Sequence, residues 1–241
     1  MGIGAVGLSD VGRRRSHNED VCRVDEARGF FLVADGMGGA SAGEVASGLF
    51  AATAGDVFVA SAYRPLEETV FLVKKSFYTA NARILSDIEG NPSRAGMGCT
   101  AELFALYDQG FVLGHIGDSR TYRLRNSSLV QLTKDHSLVQ YQIDQGLIND
   151  EQARSHPMKN VIMRAVGVNR ELAVDIIQGP VFSGDLFLLC TDGLSAMVDD
   201  LVIRDILLVP EPLSQRAARL IQQANEAGGR DNVSVVLIEA P

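Results

Sequence analysis

The chain has 241 residues, of which 46% are hydrophobic, and this content excludes a disordered chain and suffices for one large domain or two small ones. Its 30 Asp and Glu residues outweigh 22 Lys and Arg residues, giving a formal charge of −8 that argues against nucleic acid or an anionic membrane as a general partner. A cation site lined by carboxylates leaves such an acidic excess, although solubility explains it equally well.

The cysteines and the hydropathy of the chain bear on its location. Cys22, Cys99 and Cys190 lie in apolar, strand-like runs and form no CxxC pair, so neither a zinc site nor a disulfide framework is indicated. No apolar run approaches the roughly 18 residues of a membrane span. We therefore expect a cytoplasmic protein without a membrane partner, folded as a single domain over residues 1–241.

The first predicted elements are strands over residues 3–9 and 21–25, separated by a basic and polar stretch. This stretch contains Arg13-Arg14-Arg15 and then Asn18-Glu19-Asp20. A basic run of this kind is commonly a solvated face. The alternative is that Arg15 presents a guanidinium fork beside the acids, where it would bind a phosphate dianion.

The next run, FFLVADGMGG, begins at Phe30. Its first four residues, Phe30 to Val33, are typical of a strand buried on both faces, and Asp35 follows them. Gly36, Gly38 and Gly39 allow the close backbone approach that a ligand site needs. Two similar apolar runs end at Asp118, in FVLGHIGD, and at Asp192, in LFLLCTDG. Each Asp-Gly alone is also a common hairpin signal.

Helical and strand-like segments alternate along the remaining chain. A capping box formed by Ser41 and Glu44 predicts the start of one helix, and a longer helix begins near Pro65. The later predictions, in order, are an antiparallel meander over 97–132, a polar surface excursion over 136–160, strands over 171–178 and 185–190, a helix over 199–208, a helix between Pro212 and Gly228, and a strand from Val233 to Ile238. This order predicts an α+β fold, a central antiparallel β-sandwich flanked on both sides by α-helices in four αββα layers.

Among the histidines, two lie in predicted elements. His115 lies within an apolar strand and is predicted to be packed and hydrogen-bonded. His136 follows Asp135 at a predicted helix start, which favours a capping role.

Six acids stand at strand ends or in polar bends: Glu19, Asp20, Asp35, Asp118, Asp192 and Asp231. Two carboxylates about 4 Å apart repel by roughly 4 kcal/mol at an effective dielectric of 20, so several can share a cleft only with cations. Oxygen ligands without paired His or Cys favour Mg²⁺ or Mn²⁺ over zinc. The residues alone leave two interpretations open, a metal-lined cleft or acids scattered among turns.

The ordered set of motifs RRRSHNED, VADGMGG, GCT, GHIGDSR, TKDHS, CTDGL and GRDNVSVV resembles the metal-dependent protein phosphatases of type 2C in their compact bacterial form. The resemblance covers residues 7–238. It implies a helix-flanked β-sandwich with a binuclear Mn²⁺ or Mg²⁺ centre, two ions per site with room for a third.

Carried over position by position, the resemblance implies a set of metal ligands. Asp35 matches the carboxylate that bridges both metals, and the carbonyl of Gly36 is a further ligand. Asp192 and Asp231 match the remaining ligands of the pair. Asp118 matches the acid that, together with Asp192, holds a third and weaker metal in bacterial relatives.

The resemblance also implies roles beside the metals. Asp20 and Glu19 match acids of the metal site that contact water on the metals, and Arg15 matches the phosphate-binding arginine. Arg15, Asp35 and Asp20 are the candidate catalytic residues. Met37 departs from the pattern, because animal members place a His there as a candidate acid for the leaving group. Residues 138–160 correspond to the family's flap.

The implied activity is hydrolysis of phosphoserine and phosphothreonine in proteins by a metal-activated water, without a phospho-enzyme. We expect a monomer whose partners are phosphorylated proteins, substrates of a Ser/Thr kinase and the kinase itself. Two alternatives remain at this stage: a catalytically silent binding module and a phosphatase of small metabolites.

Overall fold

A computed structural model describes residues 3–38, 42–59 and 64–240. The strands are β1 Gly4–Asp10, β2 Asp20–Asp25, β3 Phe30–Met37, β4 Gly98–Cys99, β5 Ala101–Tyr107, β6 Gly110–Ile116, β7 Arg120–Arg125, β8 Ser128–Gln131, β9 Asp175–Pro180, β10 Leu186–Cys190 and β11 Val233–Glu239. The α-helices are α1 Ala42–Val57, α2 Leu66–Gly90, α3 Leu138–Asp144, α4 Asp150–Arg154, α5 Asp192–Ser195, α6 Asp200–Leu208 and α7 Leu213–Glu226.

The strands form two antiparallel sheets. The first sheet has the order β1-β11-β10-β7-β8, and the second has the order β2-β3-β5-β6-β9 with β4 paired to β3. Helices α1 and α2 pack on the outer face of the second sheet, whereas α6 and α7 cover the outer face of the first. The predicted four-layer αββα architecture is confirmed.

The alternation of side chains along β3 explains why its apolar run has no polar break. Phe30 and Leu32 belong to the core between the sheet and its helices, while Phe31 and Val33 belong to the core between the two sheets. All four are fully buried. Because successive residues of a strand point to opposite faces, a strand covered on both sides must be apolar throughout.

The structure corrects several predicted boundaries. Strand β3 continues past Asp35 to Met37, because Gly36 and Met37 pair with β4. The meander of residues 97–132 is divided between the sheets, since β5 and β6 pair in the second sheet and β7 and β8 in the first. The strand predicted over 171–178 begins only at Asp175.

Other predictions concern segments at the edges of the described residues. Gly39 and the capping residue Ser41 lie outside the described residues. The helix near Pro65 is confirmed as α2, and α7 begins directly after Pro212 and ends before Gly228 as predicted. None of the helices within residues 3–38, 42–59 and 64–240 combines the length and the apolar character needed to cross a bilayer.

Candidate metal centre

The candidate site lies at one end of the layer between the sheets, where the inward-facing positions change from apolar to polar. On β3 the alternation that places Phe31 and Val33 between the sheets also places Asp35 there. Asp20 begins β2 and pairs directly with Asp35 across the two strands. Like charges at directly opposed positions are unfavourable, so the pairing of Asp20 with Asp35 lowers the stability of the sheet at this point.

Asp20 belongs to the second sheet, and the end of strand β10 in the first sheet supports it. Thr191 follows β10, and its hydroxyl donates to Oδ2 of Asp20 at 2.8 Å while accepting from the backbone N–H of Ser234 at 3.0 Å. The next residue, Asp192, begins the short helix α5. One threonine thus fixes the Asp20 carboxyl beside Asp192.

A buried pair of hydroxyl groups joins the ends of β3 and β6. The hydroxyl of Thr100 accepts from the backbone N–H of Asp35 at 3.2 Å and lies 2.7 Å from the hydroxyl of Ser119. Ser119 follows Asp118, which is buried. The two segments that carry Asp35 and Asp118 are therefore held together by side chains that carry no charge.

Arg15 and Asp231 complete the site from the loop after β1 and the turn before β11. Nη2 of Arg15 donates to Oδ2 of Asp231 at 2.7 Å, and the arginine side chain is 48% exposed. Partial burial opposes ionisation, but Asp231, Asp35 and Glu19 raise the pKa of Arg15 above its ordinary value. The guanidinium is thus charged, open to solvent and within reach of the acids.

The pKa shifts show that the acids share one electrostatic environment. Burial, followed by the charges of the surrounding aspartates, raises the pKa of Asp35 well above its ordinary value; these aspartates are Asp20, Asp192, Asp118 and Asp231. Burial also raises the pKa of Asp20 to about 7, that of Asp118 to about 8 and that of Asp192 to about 6, with neighbouring carboxylates adding to each shift. Crowding of these carboxyl groups costs free energy that a cation would recover.

The residues present fit divalent metal ions. Within the described residues, Oδ1 of Asp20, Asp118 and Asp192 is buried without a hydrogen-bond partner. Buried carboxylate oxygens left unpaired are costly, and hard cations such as Mg²⁺ and Mn²⁺ prefer oxygen ligands. In the described ranges, no group of three or more His, Cys, Asp or Glu side chains is arranged closely enough to hold a metal ion. The acids gather in one cleft without forming a closed cage, as mutual repulsion requires.

Each of the predicted site residues lies in or beside this cleft. The five predicted aspartates interact electrostatically; they are Asp20, Asp35, Asp118, Asp192 and Asp231. The charge of Glu19 acts on Arg15. Gly36 has no room for a side chain, because a Cβ there would lie 2.6 Å from the carbonyl oxygen of Glu19 and closer still to that of Gly43. Their individual roles as ligands remain predictions.

Two turn or cap interpretations are wrong. Asp192-Gly193 is not a hairpin turn but the first turn of α5, and Gly193 abuts the carbonyl oxygen of Asn232. His136 does not cap α3, because Ser137 does so by accepting from Gln140 N–H. His115 is packed and hydrogen-bonded as predicted, to Glu102 and to the carbonyl oxygen of Lys134.

Sequence reasoning missed the uncharged residues that support the acids, chiefly Thr100, Ser119, Thr191 and Asn232. Thr191 and Asn232 each adjoin an acid that was singled out. The alternation of side chains along β10 could have identified Thr191. Phe187 and Leu189 lie between the sheets, and residue 191 is the next position that faces the same side. Asn232 gives no comparable signal, because its bonds reach residues more than 200 positions away.

Comparison with known proteins decides the family. The chain matches the protein phosphatase 2C family over residues 11–237. The chain belongs to the protein phosphatase 2C family. It is 39% identical over 235 residues to the serine/threonine phosphatase stp of Listeria welshimeri, with 96% of this chain and 93% of that protein covered. The resemblance inferred from the motifs is confirmed.

Solved structures of this family share the fold. The serine/threonine phosphatase PstP/Ppp of Mycobacterium tuberculosis superposes with a TM-score of 0.93 at 36% identity, covering 99% of this chain and 98% of that one. The catalytic domain of PstP in complex with two manganese ions superposes with a TM-score of 0.89 at 35% identity, covering 98% and 97% of the respective chains.

Residues 138–160, which the resemblance predicts to be a flap, contain two short helices. These helices, α3 and α4, follow one another, and α4 begins with a capping box in which Asn149 and Gln152 bond each other's backbone N–H. The base of the excursion is closed by backbone hydrogen bonds from Leu138 to Val161 and from Met163 to His136.

Proposed function

We propose that the chain is a metal-dependent serine/threonine protein phosphatase that hydrolyses phosphoserine and phosphothreonine in proteins. The observation that carries this proposal is the convergence of five aspartates from distant parts of a protein phosphatase 2C chain, with buried unpaired oxygens, beside an exposed arginine. A basic fork next to an oxygen-rich cleft suits a phosphate monoester dianion.

The residues that would hold the metals are Asp35, Gly36 through its carbonyl, Asp192 and Asp231, with Asp118 and Asp192 for a third ion. When bound, Mn²⁺ or Mg²⁺ polarises phosphoryl oxygens and lowers the pKa of water toward neutrality. The acids Asp20 and Glu19 would accept hydrogen bonds from water at the site. The raised pKa of Asp20, about 7, follows from its burial and from neighbouring aspartates.

The chain's own residues favour direct hydrolysis over a phospho-enzyme. Burial raises the pKa of all three cysteine thiols, Cys22, Cys99 and Cys190, and this disfavours the thiolate that a nucleophile requires. The hydroxyl of Thr191 is already engaged with Asp20. With the thiols and this hydroxyl unsuited to attack on phosphorus, we assign the attacking role to water, as the family resemblance implies.

Charge balance and proton transfer around the phosphate are assigned to different groups. Arg15 has N–H groups beyond the one bonded to Asp231 and would bind the equatorial phosphate oxygens. Met37 lies in the position where animal members have a histidine, and a thioether cannot donate a proton. Water held by the Asp118 carboxyl would therefore protonate the departing serine or threonine oxygen.

The partners are phosphorylated proteins, and we extend this to substrates of a Ser/Thr kinase and to the kinase itself. We further propose that the protein acts as a monomer in the cytoplasm. Size-exclusion chromatography with light scattering tests the oligomeric state. Comparing phosphoproteomes of cells with and without the protein identifies the substrates.

The activity is tested with phosphothreonine and phosphoserine peptides. We expect turnover with Mn²⁺, none after chelation, and a loss of more than about 100-fold in kcat/KM in Asp35→Asn, because that position supplies the central carboxylate. Asp108→Asn, at an exposed turn, serves as the matched control and should stay within about twofold of the unaltered protein. Turnover that persists after thorough chelation, or faster turnover of sugar phosphates than of phosphopeptides, contradicts the proposal.

A further inference from the structure

The loop that carries Arg15 has no helix or strand of its own. It spans residues 11–19 and connects the end of β1 to the start of β2. Arg15 is 48% exposed on this loop, and within the described residues its side chain donates a hydrogen bond only to Asp231. A long side chain on an irregular loop loses much conformational freedom when it binds a ligand, unless the loop is already fixed.

A single buried side chain holds both arms of this loop. Asn232 is 4% exposed. Its Oδ1 accepts from the backbone N–H of Glu19 at 2.9 Å, and its Nδ2 donates to the carbonyl oxygens of Val11 at 3.0 Å and His17 at 2.9 Å. The amide therefore joins the point where the loop leaves β1 to the point where it enters β2.

The amide of Asn232 uses its acceptor and both donors in this arrangement. A carboxylate of the same shape lacks the two donors, and an aliphatic side chain lacks all three groups. One further bond, from the backbone N–H of Arg13 to the carbonyl oxygen of Gly229 at 2.7 Å, ties the loop to the same part of the chain. Asn18 of the second arm also donates to the hydroxyl of Ser9 in β1 at 2.7 Å, but among the described side chains outside the loop only Asn232 is bonded to the backbone of both arms.

We propose that Asn232 is a positioning residue that fixes the Arg15 loop in the conformation that binds the phosphate dianion. This inference rests on the proposed function, because it gives Arg15 its role in phosphate binding. Asn232 acts on the substrate only through the loop. Removing the Asn232 side chain should therefore weaken phosphate binding, because Arg15 contributes less to that binding when its loop is not fixed.

The test is a double-mutant cycle between Arg15→Ala and Asn232→Ala, measured with p-nitrophenyl phosphate, a phosphothreonine peptide and inorganic phosphate as inhibitor at saturating Mn²⁺. Arg15→Ala should lower kcat/KM by about 10- to 100-fold, as expected for a lost hydrogen bond to a charged group. Asn232→Ala should raise KM and the phosphate Ki by about 5- to 50-fold with a smaller change in kcat. The kcat/KM of the double variant should lie within about threefold of that of Arg15→Ala, because the effects of two coupled residues do not add.

Losses that multiply in the double variant would overturn the inference, since a merely structural asparagine leaves the contribution of Arg15 intact. The Mn²⁺ affinity of Asn232→Ala is measured by titration calorimetry, because Asp231 is its neighbour. A loss of Mn²⁺ affinity as large as the rise in KM also overturns it. Asn232→Ser, whose hydroxyl is too short to reach both arms, provides the same cycle if the alanine variant does not fold.

Asn81 supplies a matched control. It is also 4% exposed, and its amide accepts from Gly167 N–H at 2.7 Å and donates to the carbonyl oxygen of Asn169 at 2.9 Å. Asn81→Ala should lose comparable thermal stability and keep the full effect of Arg15→Ala. Absence of hydrolysis by the unaltered protein refutes the proposed function itself, whereas normal hydrolysis with multiplicative losses refutes only the role of Asn232.

Discussion

At the scale of single residues, a buried carboxyl–imidazole pair lies inside the sandwich next to the acidic cleft, and burial raises the pKa of its Glu102 carboxyl although His115 opposes that shift. Glu102 and His115 are fully buried and hydrogen-bonded to each other, and the hydroxyl of Thr121 donates to Glu102 at 2.6 Å. Burial alone would lower the pKa of His115, but Glu102 outweighs it and raises the pKa to about 9. Breaking a buried pair by removing one partner leaves an uncompensated charge.

The stability conferred by His115 should depend on pH. Its folded pKa, about 9, exceeds the ordinary value of 6.5, so this contribution is complete below pH 6.5 and is lost as the pH rises through 9. We expect His115→Gln to lower the free energy of unfolding by roughly 3 kcal/mol at pH 6. At pH 9.5 this loss should be smaller by roughly 1–3 kcal/mol. Denaturant unfolding of both proteins at the two pH values measures the difference.

His136 is the control for this experiment. Burial, then the charge of His115, lowers the pKa of His136 to about 4, so this imidazole is neutral in the folded protein across the same range. His136→Gln should therefore show nearly the same loss of stability at pH 8 and pH 9.5, an interval over which the loss caused by His115→Gln should still shrink. If the His115→Gln deficit is equally constant between pH 6 and pH 9.5, His115 and Glu102 do not form an ion pair.

Residue-level prediction succeeded where the neighbours are set by strand periodicity and failed where they come from remote segments. His115 follows an apolar strand pattern, so its burial and hydrogen bonding could be predicted, but Glu102 could not be named as its partner. His136 was wrongly assigned to a helix cap, because the residues that bond its ring, Gly117, Asp175 and Arg164, lie in other parts of the chain.

At the scale of elements, the acids occupy places where strands end or pair unusually. The turn after β6 shows how tightly such an end is built. Gly117 has a φ of +112°, and a Cβ there would lie 2.5 Å from Cβ of Thr100 and 3.1 Å from its Cα. The next residue is Asp118. Only glycine therefore lets β6 deliver Asp118 while Thr100 holds Asp35.

Gly117→Ala should be strongly destabilising. Strain at positive φ costs about 1–2 kcal/mol, and the clash with Thr100 should bring the loss to about 3 kcal/mol or more, with weaker Mn²⁺ binding. Thermal unfolding and Mn²⁺ titration measure both effects. Gly146→Ala is the control, because Gly146 has a φ of +69° and no atom within 4 Å of the place that a methyl group would occupy, so it should lose only about 1 kcal/mol. Equal losses in the two variants would show that the contact with Thr100 is unimportant.

The order of the elements could be predicted because apolar periodicity and turn residues are local signals. Strand pairing could not, as β5 to β8 show: four strands in sequence form two hairpins that belong to different sheets. Likewise, the extension of β3 to Met37 depends on β4, a strand of two residues that has no periodicity of its own.

At the scale of the whole molecule, the fold brings acids from distant positions into one cleft. Asp35 and Asp20 come from the second sheet, whereas Asp192 and Asp231 come from the segments that adjoin β10 and β11 in the first. The sequence identified these acids as candidates, since each follows a strand or lies in a polar bend. Their convergence is a property of the packed sheets, which periodicity does not reveal, and the family resemblance supplied it.

The most direct test of the account is a crystal structure with Mn²⁺, with the anomalous scattering of manganese used to locate the ions. We predict two strong anomalous peaks in the cleft within ligand distance of Asp35, Asp192 and Asp231, and a weaker one beside Asp118. Peaks that lie away from Asp35, in crystals of protein that remains active, would contradict a metal centre built on these aspartates.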